Sequence, residues 1–346
     1  MPLAGATQTH LPSDGTPARA RARPTAEAVR VVAPARLHLG FLDLNGGLGR
    51  RFGSIGLAID SPATELVLSR GRSFNAEGSD RRRALETLRR VAQSYSLGGP
   101  YQLDIRSAIP SHAGLGSGTQ LALAVTAAMT ALEGLDHSAG ELAELTNRGA
   151  RSAIGMAAFE HGGFIVDGGR GTQDRAPPIL IRTDFPESWR IFLIMDPRTS
   201  GVHGEAEAKA FAELPPLSDS AAAYVCRLVL MQLVPGLMEA DIETFGTAIT
   251  EIQTIVGGHF ATAQGGSPWA SAAVGRTARA LKERGAFGIG QSSWGPTGFA
   301  YISSEESAER LYDSLIEAAR ADGVEILIAK GRNRGALVER IAGTEN

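Results

Sequence analysis

The stretch Ile109-Pro110-Ser111-His112-Ala113-Gly114-Leu115-Gly116-Ser117-Gly118-Thr119-Gln120 is a glycine-rich loop that runs straight into an apolar segment, Leu121–Leu132. Three glycines let the backbone turn tightly and come close to a ligand with no Cβ in the way. The segment after them is rich in helix formers and carries Leu121, Val125, Ala128 and Leu132 on one face. A glycine loop that opens a helix aims unpaired N–H groups and the positive end of the helix dipole at one spot, which suits a phosphate. A packed loop-to-helix turn has the same local pattern, so the loop alone leaves both readings open.

The cationic side chains that would accompany a phosphate are almost all of one kind. Lys209, Lys282 and Lys330 are the lysines among 34 basic residues, so arginine supplies the rest. An anionic ligand would therefore be held by guanidinium forks and backbone N–H groups. A net charge of −3 gives no footprint for nucleic acid or an anionic membrane. One cysteine, Cys226, excludes an internal disulfide and a cysteine-based metal cluster, and its apolar surroundings in sequence read as buried filler. No stretch reads as long and apolar enough to cross a bilayer. The expected compartment is the cytoplasm.

The elements that must position these groups fall into two units. Residues 1–28 mix Pro, Ala, Thr, Gly and Arg without periodicity and read as a disordered tail, in which Arg19, Arg21 and Arg23 precede no apolar signal segment. Order begins with the alternating stretch Val29–Gly40. Ile55–Ile59 and Thr64–Ser69 read as two strands joined by a turn at Asp60-Ser61-Pro62. Asp80–Tyr95 is a charged surface helix, Tyr101–Arg106 a strand leading into the glycine loop, and Ser138–Glu141 a capping box. Strands follow at 162–167, 179–182 and 190–195. Beyond them, helical patterns at 204–214, 219–234, 241–256, 269–284 and 305–320 alternate with strands at 286–289, 298–302 and 324–328, an α+β arrangement. At 346 residues two cores are expected, with domains over 29–185 and 186–342.

Pro34–Gly40, Pro110–Thr119 and Gly288–Gly298, in this order and spacing, resemble the GHMP kinase superfamily. That resemblance implies a ribosomal-protein-like amino-terminal domain and a ferredoxin-like carboxy-terminal domain. Its kinases carry Pro-x-x-x-Gly-Leu-Gly-Ser-Ser-Ala around nucleotide phosphates, and Pro110–Ser117 matches the first eight positions. Gly118-Thr119 then departs from the kinase pattern, and Ser152-Ala153-Ile154-Gly155-Met156 lacks the carboxylate that would accept a hydroxyl proton. Four further blocks are similar to the β-ribofuranosylaminobenzene 5′-phosphate synthase family: Arg36–Gly46 with Gly53–Ala58, Arg151–Gly155, Phe159–Phe164 and Gly290–Pro296. This resemblance implies transfer of a phosphoribosyl group from phosphoribosyl pyrophosphate to 4-hydroxybenzoate or 4-aminobenzoate, with release of carbon dioxide and pyrophosphate, in tetrahydromethanopterin biosynthesis. It also implies magnesium and a homodimer. An ATP-dependent small-molecule kinase and a non-catalytic phosphate-metabolite sensor are the competing readings.

On that reading Gly114, Leu115, Gly116, Ser117, Gly118 and Thr119 bind pyrophosphate, and Arg36 and Arg151 fork a phosphate or carboxylate. His38 and His161 are the candidates to take the para-hydroxyl proton. Ser292, Ser293 and Trp294 close over the aromatic ring. Glu160 and Asp167 are the candidate magnesium ligands. Each has a plainer alternative: Arg36 and His38 as a surface pair on one strand face, Glu160 and Asp167 as ordinary loop acids, Trp294 as a core anchor. His112 reads as a cap of the glycine loop, His10, His137, His203 and His259 as structural or solvated, and Arg332 and Arg334 as a solvated charge run.

Overall fold

The computed structural model describes residues 26–135, 141, 151–172 and 175–342. The expected tail as far as residue 25, His10, His137 and the helix start at Ser138 lie outside the described residues.

Alternating apolar residues build the first sheet. β1 (Ala26–Asp43) and β2 (Phe52–Arg70) form its long antiparallel centre. Val29, Val31, Ala33, Leu37 and Leu39 are fully buried along β1, which places Arg36 and His38 on the other pleat. β3 (Asn75–Gly78) pairs parallel with β4 (Tyr101–Ser107) through the crossover helix α1 (Arg81–Ser94), and β4 pairs with the second half of β2. β5 (Phe164–Asp167) pairs with the first half of β2 and with β6 (Ile179–Thr183). α2 (Ser117–Glu133) and the short α3 (Ile154–Glu160) pack on this sheet.

The second unit runs β7 (Arg190–Met195), α4 (Gly204–Glu213), α5 (Asp219–Met238), α6 (Ile242–Phe260), α7 (Ala272–Glu283), β8 (Phe287–Gln291), β9 (Gly298–Ile302), α8 (Glu305–Ala321), β10 (Glu325–Ala329). Its sheet has the antiparallel order β10-β7-β9-β8, the ferredoxin-like arrangement. The chain then returns as β11 (Leu337–Ala342), which adds itself to the first half of β1.

Three expectations are corrected. Ile55–Ile59 and Thr64–Ser69 are one strand, because pairing resumes across Asp60-Ser61-Pro62: Ala35 faces Ile59 while Pro34 faces Ala63, so the turn residues are extruded as a bulge. β11 has no counterpart in the sequence reading, since all six of its residues are exposed and nothing alternates. Asp219–Met238 is, by length and composition, apolar enough to cross a bilayer. In the fold Val225, Leu228, Val229, Leu233 and Leu237 point into the core, while Tyr224, Leu230, Met231 and Met238 face outward. Cys226, on the same helix, is half-buried with Sγ 3.8 Å from the Leu42 carbonyl, and burial raises its thiol pKa.

An aromatic core joins the two sheets. Phe245 on α6 lies 6.3 Å from Phe164, 6.1 Å from Phe185, 5.3 Å from Trp189 and 5.1 Å from Tyr301, centroid to centroid. Such offset and edge-on pairs add to the area they bury. Phe245→Ala should cost about 3–5 kcal/mol. Because the core is shared, both sheets should unfold in one denaturant transition with a lowered midpoint, followed together by far-UV circular dichroism and tryptophan fluorescence.

Candidate functional site

β11 covers β1 only as far as Val32, so the edge beyond it is open to other partners. Three distant segments take that edge. Arg36 N–H donates to the Leu115 carbonyl at 3.1 Å, and Ser293 N–H donates to the His38 carbonyl at 3.1 Å. His38 N–H donates to Ser292 Oγ at 3.0 Å, and Gln253 Nε2 on α6 donates to the Leu39 carbonyl at 2.8 Å. Ser292 Oγ also donates to the Gly114 carbonyl at 2.7 Å, which Arg36 Nη1 reaches at 2.5 Å. The glycine loop and the β8–β9 loop are thereby fastened to each other and to β1.

The glycines make this approach possible. Gly114 has φ +76°, and a Cβ there would lie 2.3 Å from the Ser292 carbonyl oxygen. At Gly116 (φ +84°) a Cβ would press on the Arg36 side chain at 3.2 Å. Gly116 is the N-cap of α2 and offers no side-chain cap. The N–H groups of Ser117 and Gly118, at the first two positions, have no intrahelical partner. They open into a cleft of about 340 Å³ lined by the loop, Arg36, Ser293 and Trp294.

Of the expected residues, Gly114, Gly116, Ser117, Gly118, Thr119, Arg36, Ser293 and Trp294 line this cleft. Leu115 does not: its side chain is 1% exposed and packs in the core, and it contributes only its carbonyl. Ser292 is fully buried and spends its hydroxyl on the staple just described. Trp294 is both wall and anchor, stacked on Phe260 at 4.3 Å and edge-on to Phe211 at 5.2 Å. Arg151 stands behind the lining, where its guanidinium pairs with Glu207 at 2.7 Å and lies 4.6 Å over the Phe211 ring.

His38 is buried beside Phe41, and its Nδ1 has no hydrogen-bond partner. Burial, with Arg36 and Arg151 nearby, pushes its pKa down to about 3, so the ring is neutral at pH 7. Burial also pushes the Arg36 guanidinium down to about 10, against the opposing pull of Glu207. Even so, Arg36 remains a cation at neutral pH.

His161 and Glu160 belong elsewhere. They sit exposed at the far end of α3, 3.7 Å from each other, where Arg182 Nη2 donates to the His161 carbonyl. Asp167 is fully buried, but its two oxygens accept from Ser54, Gly169 and Ala153 N–H at 2.9 Å each and from Ser152 Oγ at 3.2 Å. Burial raises its carboxyl pKa while these four donors oppose the rise. The carboxylate ties β2, the segment before α3 and the turn after β5 together, with both oxygens already engaged. Among the described residues no group of three His, Cys, Asp or Glu side chains is placed to hold a metal ion. The acid lining the cleft, Glu207, is engaged by Arg151. The described residues do not build a protein site for magnesium.

The cleft also holds Arg83 and Glu207, which no sequence pattern singles out, and His112 and His203, expected as a loop cap and as a structural or solvated residue. His112 lies inside the glycine loop, and that position was the available signal. Arg83 is hidden in the run Arg81-Arg82-Arg83, which has the pattern of a solvated helix face. His203 gives no local sign, because its role depends on α4 meeting the loop across 90 residues. His259 is on α6 against Phe260, outside the cleft lining, and Arg332 turns back onto the Arg334 and Gly335 carbonyls.

Comparison with known proteins agrees with this architecture. The model of the GHMP kinases N terminal domain matches residues 82–163, and that of the GHMP kinases C terminal domain matches residues 233–321. Among solved structures, a homoserine kinase from Cytophaga hutchinsonii superposes with a TM-score of 0.64 at 18% identity, covering 92% of this chain and 99% of its own. The Methanococcus jannaschii mevalonate kinase gives 0.63 at 15% identity, covering 88% and 98%. At these identities the likeness is one of fold. Two curated relatives, both named beta-ribofuranosylphenol 5′-phosphate synthase, are far nearer in sequence. The one from Methanothermobacter thermautotrophicus is 33% identical over 88% of this chain and 97% of its own length. The one from Archaeoglobus fulgidus is 32% identical over 90% and 99%. The chain thus belongs to the beta-ribofuranosylphenol 5′-phosphate synthase family of transferases, on the GHMP kinase fold.

Proposed function

We propose that this protein transfers the phosphoribosyl group of phosphoribosyl pyrophosphate to 4-hydroxybenzoate, with loss of carbon dioxide and pyrophosphate. The names of the relatives specify a phenol product, which favours 4-hydroxybenzoate over 4-aminobenzoate. The observation that carries the reading is the uncapped start of α2 with Arg36 beside it, in a cleft whose lining acid is already paired. Phosphate oxygens are bound there, while a free carboxylate to deprotonate an attacking alcohol, as a kinase would use, is missing from the lining.

The bond between the ribose anomeric carbon and the pyrophosphate oxygen breaks, and the electron pair leaves with pyrophosphate. The N–H groups of Ser117 and Gly118 and the Arg36 guanidinium stabilise the charge that develops on it. The ring carbon para to the hydroxyl, which also bears the carboxylate, attacks the cationic sugar carbon. As the carbon–carbon bond forms, the hydroxyl proton passes to water in the cleft; His38, buried and held neutral with a pKa of about 3, stays an uncharged neighbour of Arg36 and does not take it. Carbon dioxide then leaves, its bonding pair restores the aromatic ring, and the proton returns to the oxygen. Trp294 supplies an apolar wall for the ring, backed by Phe211 and Phe260. Magnesium would enter as the counter-ion of the pyrophosphate, and no step above runs through it. The outward apolar face of α5, Leu230, Met231 and Met238, supports a homodimer, and the single cysteine supports a cytoplasmic setting.

Purified protein given phosphoribosyl pyrophosphate and carboxyl-labelled 4-hydroxybenzoate should release labelled carbon dioxide and pyrophosphate in equal amounts. No release with either benzoate, together with ATP turnover on an alcohol, would replace this reading with a kinase. Arg36→Met should lower kcat/KM on the order of 10²-fold, the usual scale for removing one partner of a buried charged contact. His38 gives a stability test with a fixed sign. Between pH 6.5 and about 3 the unfolded chain binds a proton that folded His38 refuses, so stability falls with pH across that window. Urea unfolding of His38→Asn should lack that part of the pH dependence, and an unchanged profile would mean that His38 titrates normally.

A further inference from the structure

A phosphoribosyl donor carries two separate anionic groups, and the cleft lining contains two sets of donors drawn from different elements. One is the start of α2 with Arg36. The other is Arg83, His112 and His203. We propose that this second set is a phosphomonoester site, which takes the 5-phosphate of the sugar while the glycine loop takes the pyrophosphate. The inference rests on the transferase reading above and extends it to a site of its own.

The second set is built rather than incidental. His112 sits at φ +59°, an uncommon conformation that His tolerates better than most residues, and its carbonyl accepts from Gly201 N–H at 3.0 Å. Its ring stacks on that of His203 with centroids 3.7 Å apart and planes 26° from parallel. His203 Nδ1 meets the Gly201 carbonyl at 2.7 Å. A carbonyl can only accept, so Nδ1 carries the proton and Nε2 is left as the free ring nitrogen. Arg83 gives Nε and Nη2 to Asp80 and Nη2 also to Ser111, while Nη1 stays unengaged. His203 is the N-cap of α4 and makes no side-chain cap, so the Gly204 N–H opens beside the rings.

Charge completes the argument. Burial, His203 and Arg83 lower the pKa of His112, and Asp80 opposes them only in part. Asp80, Arg83 and Ser111 face the pair from α1 and the loop, Glu207 from α4 and Arg36 from β1. An imidazole crowded by a second ring and an arginine takes up a proton only with a counter-charge beside it. A phosphate dianion supplies one, so its binding draws a proton onto His112. A phosphate monoester therefore suits this corner better than a carboxylate, which brings a single charge.

Calorimetric titration with ribose 5-phosphate and with inorganic pyrophosphate separates the two sets. The wild-type protein should bind both ligands. At pH 7.5 it should take up protons with ribose 5-phosphate, seen as a dependence of the heat on buffer ionisation enthalpy. His203→Gln and His112→Asn, the latter tolerant of positive φ, should raise the Kd for ribose 5-phosphate at least 10-fold and abolish the proton uptake. The Kd for pyrophosphate should stay within twofold, which also shows that the variants are folded. Arg83→Met should act in the same direction. Equal weakening of both ligands, or no change for ribose 5-phosphate, overturns the second site. Wild-type protein that binds pyrophosphate and turns over but ignores ribose 5-phosphate sinks this site alone. Protein that binds neither ligand sinks the transferase reading with it.

Discussion

The open edge of β1 between Arg36 and Leu39 is the constraint on which the site depends. Four backbone groups there would be left without partners, and a buried unpaired peptide group costs about 1–3 kcal/mol. They are satisfied by Leu115, Ser292, Ser293 and Gln253, from segments that lie roughly 80 to 250 positions away. The glycine loop, the β8–β9 loop and α6 are held in place because each completes this one stretch of strand. Gly114 and Gly116 matter here as spacers: a side chain at either would push the loop off the edge.

Arginine suits such a place. Arg36 loses solvation on burial yet keeps its charge, where a lysine in the same surroundings would be pressed towards neutrality. The same field keeps His38 neutral two residues further along the same pleat. One strand face thus presents a fixed cation followed by an uncharged imidazole. Kinase relatives share the scaffold, so the scaffold does not decide the chemistry. What distinguishes this cleft is which side chains are already committed to one another, above all Glu207 to Arg151.

Much of this was legible locally. The glycine loop, the helix after it and the pleat carrying Arg36 and His38 follow from patterns shorter than 20 residues, and the ferredoxin-like second unit from its alternation of helices and strands. Less was legible where function arises from contacts between distant segments. Asp167 and Glu160 had the residue types of metal ligands, but whether a carboxylate's lone pairs are free depends on loops that sequence does not place. His203 and Arg83 enter the cleft only because α4 and α1 converge on the loop. Leu115 and Ser292 sat inside the right motifs, yet they serve to hold the motif together rather than to touch a ligand. The strand β11 carried no signal, since what makes it a strand is the free edge of the first half of β1.

That last pairing has a mechanical side. Ala26 and Ala342 lie opposite each other at one end of the β1–β11 ladder. A force pulling these two points apart would open the ladder one rung at a time, as a zipper, instead of shearing all its hydrogen bonds together. The load would be released along six exposed residues before it reached the stretch of β1 that carries Arg36 and His38. The ladder between Ala26–Val32 and Leu337–Ala342 would thus open ahead of the stretch of β1 that holds the cleft loops.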